Sequence, residues 1–306
     1  RKCDTSNQHD QSNTRKDHRY HYRKDQKHMN VSYLGPESSF TYQAACQLFP
    51  TEQLTAYASI PVCLRALFRK QVDLAVVPVE NSLEGAVHHT IDLLSKHPEV
   101  EVKSEIVLPI KQQLLGNPAT KITKILSHPQ ALAQSQQFLE THYPNVPLVA
   151  TESTTAAAMY VAEHPKEDAA AIASLETAQH VGLEILAENI QDNELNQTRF
   201  WIVGDRKMTS QQSAPVKMSV ILTLPANRPG MLHKMLAAFG WREINLSKIE
   251  SRPLKTSLGE YFFVIDLLLD RPMTLVENAL QEIKMLGGES QILGCYPVLT
   301  VEETRR

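Results

Sequence analysis

Leu74-Ala75-Val76-Val77-Pro78-Val79-Glu80-Asn81-Ser82-Leu83-Glu84-Gly85 passes directly from a continuous apolar run to a polar cluster. An unbroken apolar run of this kind reads as a buried strand, and Glu80-Asn81-Ser82 falls where such a strand leaves its sheet. Open α/β sheets bind ligands at that edge. Similar junctions occur at Gly35-Pro36-Glu37-Ser38-Ser39-Phe40-Thr41, Ser127-His128-Pro129-Gln130 and Thr151-Glu152-Ser153-Thr154-Thr155, and one leads into a strand at Asn196-Gln197-Thr198-Arg199-Phe200. Hydroxyl and amide side chains gathered at helix starts point to one cleft built for a small anion.

Working outward, short apolar runs alternate with amphipathic stretches, the pattern of an α/β layer fold. Val31–Leu34 and Leu74–Val77 read as strands, and Ser39–Phe49, Ser59–Lys70 and Gly85–Lys96 as helices. Val100–Pro109 and Gln112–Leu115 read as extended, which takes the chain into a second lobe. There, Ile125-Leu126 leads into a helix over Pro129–His142, Leu148-Val149 into Thr154–Glu163, and Ala169–Ile172 into Leu175–His180. Leu183–Ile190 and Arg199–Val203 are extended, and the latter returns to the first lobe. A polar linker, Gly204–Pro215, precedes strand Val216–Leu224, helix Pro229–Phe239, strands Ile244–Ser251 and Glu260–Leu269, helix Thr274–Leu286 and strand Ser290–Leu299. That order is βαββαβ, the ferredoxin-like split unit.

The chain has 306 residues, 42% hydrophobic and 21% charged, enough for two or three domains of an ordinary globular protein. A formal net charge of -3 gives no basic field for nucleic acid or acidic lipid, so a small-molecule partner is expected, with no nucleic acid and no membrane. The four cysteines, Cys3, Cys46, Cys63 and Cys295, show no paired spacing and read as free thiols of a cytoplasmic protein. Residues 1–28 are dense in charged and amide side chains and almost without aliphatic ones, which predicts a disordered tail or an added extension, Met29 being a natural-looking start. They contain no apolar stretch of the kind a secretory signal requires. His9, His18, His21 and His28 in that tail define no closed metal site, and His88, His89 and His128 show no metal-ligand spacing either.

Several residues invite chemical readings beside plainer ones. Ser127 and Gln134 are about two helical turns apart, which places both along one face of a helix starting near Pro129; equally, Ser127 is an N-cap and Gln134 a surface amide. Glu80 and Asn81 are a turn device or a site, and Ser82 an N-cap. Thr198 and Arg199 put a hydroxyl and a guanidinium at the mouth of an apolar strand, where Arg199 suits bidentate recognition of a carboxylate or simply starts the strand. There is no G-x-S-x-G elbow, phosphate loop or dinucleotide fingerprint.

Taken in order, these segments resemble the prephenate dehydratase family over about Met29 to Asp205: the Gly35–Thr41 stretch, Pro78-Val79-Glu80-Asn81-Ser82 with Gly85, Ser127–Ala131 with Gln134, Ser153–Ala157, and Asn196–Phe200. The remainder resembles the ACT regulatory domain of that family, through Asn227-Arg228-Pro229-Gly230-Met231-Leu232 and Asn245-Leu246-Ser247-Lys248-Ile249-Glu250-Ser251-Arg252-Pro253. Ser38-Ser39 replace the usual Gly-Thr, and Met231 replaces a small residue. The resemblance implies a two-lobed, periplasmic-binding-protein-like catalytic domain at 29–206 (lobe 1 at 29–108 and 186–206, lobe 2 at 109–185), a linker at 207–215 and the ACT domain at 216–300. It implies conversion of prephenate to phenylpyruvate, water and carbon dioxide without metal or organic cofactor. By position, Thr198 donates to the departing oxygen and Asn81, Ser127 and Gln134 hold the substrate. Glu80 orients neighbours, while Ser38, Ser39, Ser82, Thr154, Arg199 and Phe200 line the substrate site. Feedback by L-phenylalanine is implied at Gly230, Met231, Leu232, Asn245 and Leu246, with Glu250, Ser251, Arg252 and Pro253 stabilising the loop around it. A homodimer or homotetramer is expected. The alternatives are arogenate dehydratase and a non-catalytic small-anion-binding or amino-acid-sensing protein.

Overall fold

The computed structural model describes residues 29–118, 121–208, 214–224, 229–254 and 261–301. The tail with Cys3 and its four histidines, and Asn227 and Arg228 of the expected glycine turn, lie outside the described residues. In chain order the elements are β1 (Val31–Leu34), α1 (Phe40–Cys46), β2 (Leu54–Tyr57), α2 (Ile60–Phe68), β3 (Leu74–Asn81), β4 (Gly85–Ala86), α3 (His88–Leu94), β5 (Val100–Pro109) and β6 (Gln113–Gly116). They continue with β7 (Lys124–Ser127), α4 (Pro129–Ala133), α5 (Gln136–His142), β8 (Leu148–Ala150), α6 (Thr154–Glu163), β9 (Ala169–Ala173), α7 (Leu175–Val181), β10 (Glu184–Ala187) and β11 (Gln197–Asp205). The last third holds β12 (Lys217–Thr223), α8 (Met231–Gly240), β13 (Leu246–Pro253), β14 (Tyr261–Leu268), α9 (Met273–Met285), β15 (Glu289–Tyr296) and β16 (Val298–Thr300).

The strands form three sheets. The first runs β16-β5-β11-β3-β1-β2, the second β10-β6-β9-β7-β8 and the third β13-β14-β12-β15. Two segments cross between the first two sheets and are tied to each other, Ile110 N donating to Asn196 O at 2.8 Å and Ile190 N to Gln112 O at 2.9 Å. β10 belongs to the second sheet as far as Ala187, so the expected return at residue 186 comes slightly later. Ala169–Ala173 is buried throughout, and these small side chains let α6 come close through Ala157 and Ala158.

β3 runs on through Pro78, although proline is unfavourable inside a sheet. A bulge accommodates it: Phe200 pairs with Pro78 and Arg199 with Glu80, which leaves Val79 without a partner on β11. The extra residue reverses the facing of everything beyond it. Val77 and Val79 share one core, and Glu80 stays on their side, meeting Lys248 of β13. Asn81 consequently lands on the opposite side, against Thr198.

Three expectations of continuity fail. The helix expected over Pro129–His142 is broken at Gln134-Ser135, where the Gln134 carbonyl accepts from Asp192 N at 2.7 Å. The helix expected from Gly85 begins at His88, because Gly85-Ala86 pairs with β3. The last strand divides at Pro297: β15 stays in the third sheet, and β16 joins β5 of the first in parallel. This split follows from proline having no N–H to give a ladder.

The third sheet carries α8 and α9 on one face, over Val220, Leu222, Ile265 and Leu267. Its other face puts Ile221, Val264, Leu293 and Tyr296 into a core shared with Trp201, Val203 and Val102 of the first sheet. Gly294 makes that approach possible, because a Cβ there would overlap the carbonyl of Val102.

Candidate active site

The parallel strands β1 and β3 of the first sheet and β7 and β9 of the second all end in polar groups: Ser38 and Ser39 after β1, Asn81 on β3, Ser127 on β7 and Ser174 after β9. The C-terminal edge of parallel strands is where open sheets bind ligands, and here two such edges face each other. Ser39 caps α1, accepting from Tyr42 N at 3.2 Å. Ser38 has φ 64, and its carbonyl accepts from Thr177 Oγ1 of α7 at 3.2 Å. Gln43 Nε2 donates to Ser174 Oγ at 2.9 Å, a second bond from lobe to lobe.

On the other side a chain of amides crosses the same gap. Asn81 Oδ1 accepts from the backbone N–H groups of Leu83 (2.9 Å) and Glu84 (3.3 Å). Its Nδ2 donates to Thr198 Oγ1 at 2.9 Å and to Asn196 Oδ1 at 3.0 Å. Asn196 Nδ2 in turn donates to Gln134 Oε1 at 3.0 Å. Among the described residues the buried Gln134 Nε2 has no hydrogen-bond partner. A cavity of about 290 Å³ lies at the Gln134 end, lined by Glu84, Gln130, Gln134, Gln191 and Asn196 but by neither Asn81 nor Thr198. Burial pushes the Glu84 carboxyl up, against the opposing pull of His128 and Gln130.

The structure therefore brings Asn81, Thr198 and Gln134 together through Asn196. It rearranges other expectations. Ser127 is not the helix cap: its buried hydroxyl donates to Ile172 O at 2.7 Å, and His128 Nδ1 takes the cap, accepting from Gln130 N at 3.2 Å. Ser127 ends β7 while Gln134 closes α4, so they do not share a helix face. Ser82 caps no helix; its hydroxyl accepts from Gln197 N at 2.9 Å and donates to Leu195 O at 3.3 Å, fastening the turn to β11. Thr154 opens α6 behind the cap Ser153, and it is the next residue, Thr155, that is buried, its hydroxyl without a partner among the described residues. Phe200 is 1% exposed in the core beneath α1, packed with Ala44, Ala45 and Ile202.

Glu80 and Arg199 are the largest correction. Strand alternation and the bulge turn both away from Thr198, toward the third sheet. The Arg199 guanidinium is bound by Glu80, by Glu105 of β5 at 2.7 Å and by Asp266 of β14 at 2.7 Å. Lys217 Nζ and Trp201 Nε1 complete the ring around Glu105 at 2.7 and 3.0 Å. Burial alone would raise the Glu105 carboxyl, but Arg199 and Lys217 outweigh it and hold it below the usual range. Glu80 behaves likewise, burial being outweighed by Lys248 and Arg199. Three carboxylates thus surround the guanidinium on the face of β11 opposite Thr198.

In the third sheet's module, Gly230 has φ 78 and begins α8, followed by the half-buried Met231 and Leu232. Asn245 is exposed, its carbonyl accepting from Leu268 N at 2.9 Å, and Leu246 opens β13. The Glu250–Pro253 segment does not close on that loop. Glu250 lies 3.1 Å from His88 Nδ1, and Arg252 holds Asp92 of α3 at 2.9 and 3.0 Å, both toward the first lobe. Ser251 and Pro253, alternating with them, are exposed.

Residues that sequence reasoning left without a role include Asn196, Gln43, Ser174 and Asp266. Asn196 stood in a quoted junction and Ser174-Leu175-Glu176-Thr177 has the pattern of a capped helix, but Asp266 sits in an apolar strand with no local cue. Among the described residues no group of three His, Cys, Asp or Glu side chains converges as a metal site, and no helix is long and apolar enough to cross a membrane.

The family model of prephenate dehydratase matches residues 31–208. The chain is 44% identical over 278 residues to a prephenate dehydratase of Lactococcus lactis subsp. lactis, covering 90% of this chain and all of that one. Among solved structures, a prephenate dehydratase from Arthrobacter aurescens in complex with L-Phe superposes with a TM-score of 0.78 at 33% identity, over 88% of this chain and 90% of that one. The prephenate dehydratase of Staphylococcus aureus gives 0.76 at 28% identity, over 88% of this chain and 100% of that one. The facing strand edges and the amide chain between them are thus those of a member of the prephenate dehydratase family, to which this chain belongs.

Proposed function

We propose that the gap between the two strand edges binds prephenate and converts it to phenylpyruvate, with Thr198 as the proton donor. The ring carboxylate leaves as carbon dioxide and its electron pair enters the ring. The C–O bond across the ring breaks, the departing hydroxide takes the Thr198 hydroxyl proton to become water, and Thr198 regains a proton from solvent. A dianion and a proton give a monoanion, carbon dioxide and water, so atoms and charge balance. Aromatisation supplies the driving force, and the protein's share is to hold the substrate and assist the hydroxide's departure.

The observation that carries this reading is the bond from Asn81 Nδ2 to Thr198 Oγ1. A hydroxyl that accepts there keeps its own hydrogen for a ligand. Gln134 Nε2 and the backbone N–H groups at the strand-to-helix junctions, that of Ser38 among them, are the candidate partners for the carboxylates. Arg199 has no part in this set.

The βαββαβ module is proposed to be an ACT regulatory domain that takes L-phenylalanine near Gly230, Asn245 and Leu246. The L-Phe complex of the Arthrobacter relative supports this. The ion pairs of Asp266 with Arg199 and of Arg252 with Asp92 connect the module to the strand bearing Thr198 and to α3. Binding that favours one arrangement of these contacts changes turnover by its differential affinity for the two states. Pairing of such modules would give a homodimer or a larger oligomer.

The test is phenylpyruvate formation by purified protein from prephenate, with and without L-phenylalanine and with arogenate in parallel. Prephenate turnover that phenylalanine lowers is expected. Turnover of arogenate alone would move the assignment to arogenate, and no turnover of either would contradict it.

A further inference from the structure

The amide chain has a direction that its composition fixes. Backbone N–H groups only donate, so the two at Leu83 and Glu84 compel Asn81 to present Oδ1 to them and Nδ2 to the cleft. Asn196 must then offer its oxygen to Asn81 and its nitrogen to Gln134. Gln134 must answer with Oε1, and Nε2 is left over, buried and unpartnered. A donor remains at each end of the chain: the Thr198 hydroxyl and the Gln134 amide. Asn196 is 1% exposed and bonds across the lobes, so it is held at both ends.

We infer that Asn196 is a positioning residue that sets the hydrogen-bond polarity of the cleft, forcing Gln134 to present a donor to an anionic substrate and Asn81 to keep its nitrogen on Thr198. A side chain of the same shape that can only accept, such as an ionised carboxylate, does not do this. An aspartate at 196 accepts from Asn81 and also from Gln134, which turns the Gln134 oxygen outward and puts an acceptor where a carboxylate is to be held.

The inference rests on prephenate being the substrate. Asn196→Asp and Asn196→Ala are compared with wild type for kcat and KM on prephenate between about pH 5.5 and pH 8.5, with thermal unfolding as the control for fold. At about pH 8, N196D is expected to fall at least ~100-fold in kcat/KM, the equivalent of losing a charge-assisted hydrogen bond. It is expected to recover tenfold or more, mostly in KM, as the pH falls and the new carboxyl takes up a proton with which to bond Gln134 Oε1. N196A has no proton to regain and is expected to show a loss that follows the wild-type pH profile. Glu84 and Asp192 lie beside the chain and His128 near Glu84; all three are present in every variant, so each profile is read as a ratio to wild type.

If N196D fails to fold, Gln134→Glu asks the same question from the other end. One carboxylate oxygen still accepts from Asn196 while the other replaces the donor, and the same recovery at low pH is expected. Near-normal kcat/KM in N196D, or losses in N196D and Q134E that do not ease at low pH, would overturn the inference. Absence of prephenate turnover in wild type would instead strike the reading of the substrate.

Discussion

Asp266 of β14 lies 2.7 Å from Arg199 of β11, so a carboxylate of the C-terminal module grips the residue next to Thr198. Asp266 is 1% exposed, and its other oxygen accepts from Ser219 Oγ at 2.5 Å. Truncating one member of such a buried cluster leaves its partners uncompensated. Asp266→Asn should therefore cost about 3 kcal/mol of stability, read by denaturant unfolding. It should also blunt the response to L-phenylalanine more than the basal rate. A variant as stable as wild type, with an unaltered phenylalanine response, would remove Asp266 from the coupling.

The same cluster sets the acid limit. Glu105 and Glu80 have folded pKa values below their ordinary ones. As pH falls the unfolded chain takes up these protons first, near the ordinary value of about 4.3. Their contribution is therefore complete above that value and is lost as pH falls through the folded values. Glu105→Gln should be less stable than wild type by about 3 kcal/mol near neutrality, and the difference should shrink below about pH 4. An equal gap at every pH would show that Glu105 acts through shape alone.

Gly294→Ala tests the seam between β15 and β5. The added methyl meets the Val102 backbone, which cannot swing aside as a long side chain can. Overpacking of this kind costs about 1–3 kcal/mol, and the strain falls between the module and the first lobe. Differential scanning calorimetry should show the module's transition lowered or separated from the rest. An unchanged single transition would mean the seam is more pliable than its packing suggests.

Ser38 occupies the left-handed region at φ 64, where a side chain costs about 1–2 kcal/mol. The resemblance puts a glycine here, and the backbone supplies the reason. Ser38→Gly should raise stability by up to about 1 kcal/mol while leaving prephenate turnover within a few-fold. A large loss of turnover would show that the hydroxyl, 3.3 Å from Thr177 Oγ1, touches substrate.

The order of strands and helices was legible because buried strands such as Leu74–Val77 and Ala169–Ile172 are apolar runs between polar junctions. β2 was not, since Leu54-Thr55-Ala56-Tyr57 is an edge strand with its middle residues exposed and no alternation to read. The junction residues Asn81, Gln134 and Thr198 were found by position in their motifs. Which side of the sheet Asn81 occupies was not, because that depends on one unpaired residue, Val79, and a bulge leaves no local mark except Pro78. Arg199 illustrates the cost: adjacency to Thr198 suggested a shared site, and alternation gives it to the opposite face. Asp266 was out of reach for a different reason, its partner lying 67 residues away across a domain seam.

The central claim is that the Thr198 hydroxyl, fixed by Asn81, gives its hydrogen to the departing oxygen. The direct test is kcat for prephenate in Thr198→Val, which keeps the shape and removes the hydroxyl, beside Thr198→Ser, which keeps the hydroxyl. The account predicts a fall of about 10²–10⁴ in kcat for T198V, with KM little changed, and activity within about tenfold of wild type for T198S. Near-normal turnover by T198V would contradict it.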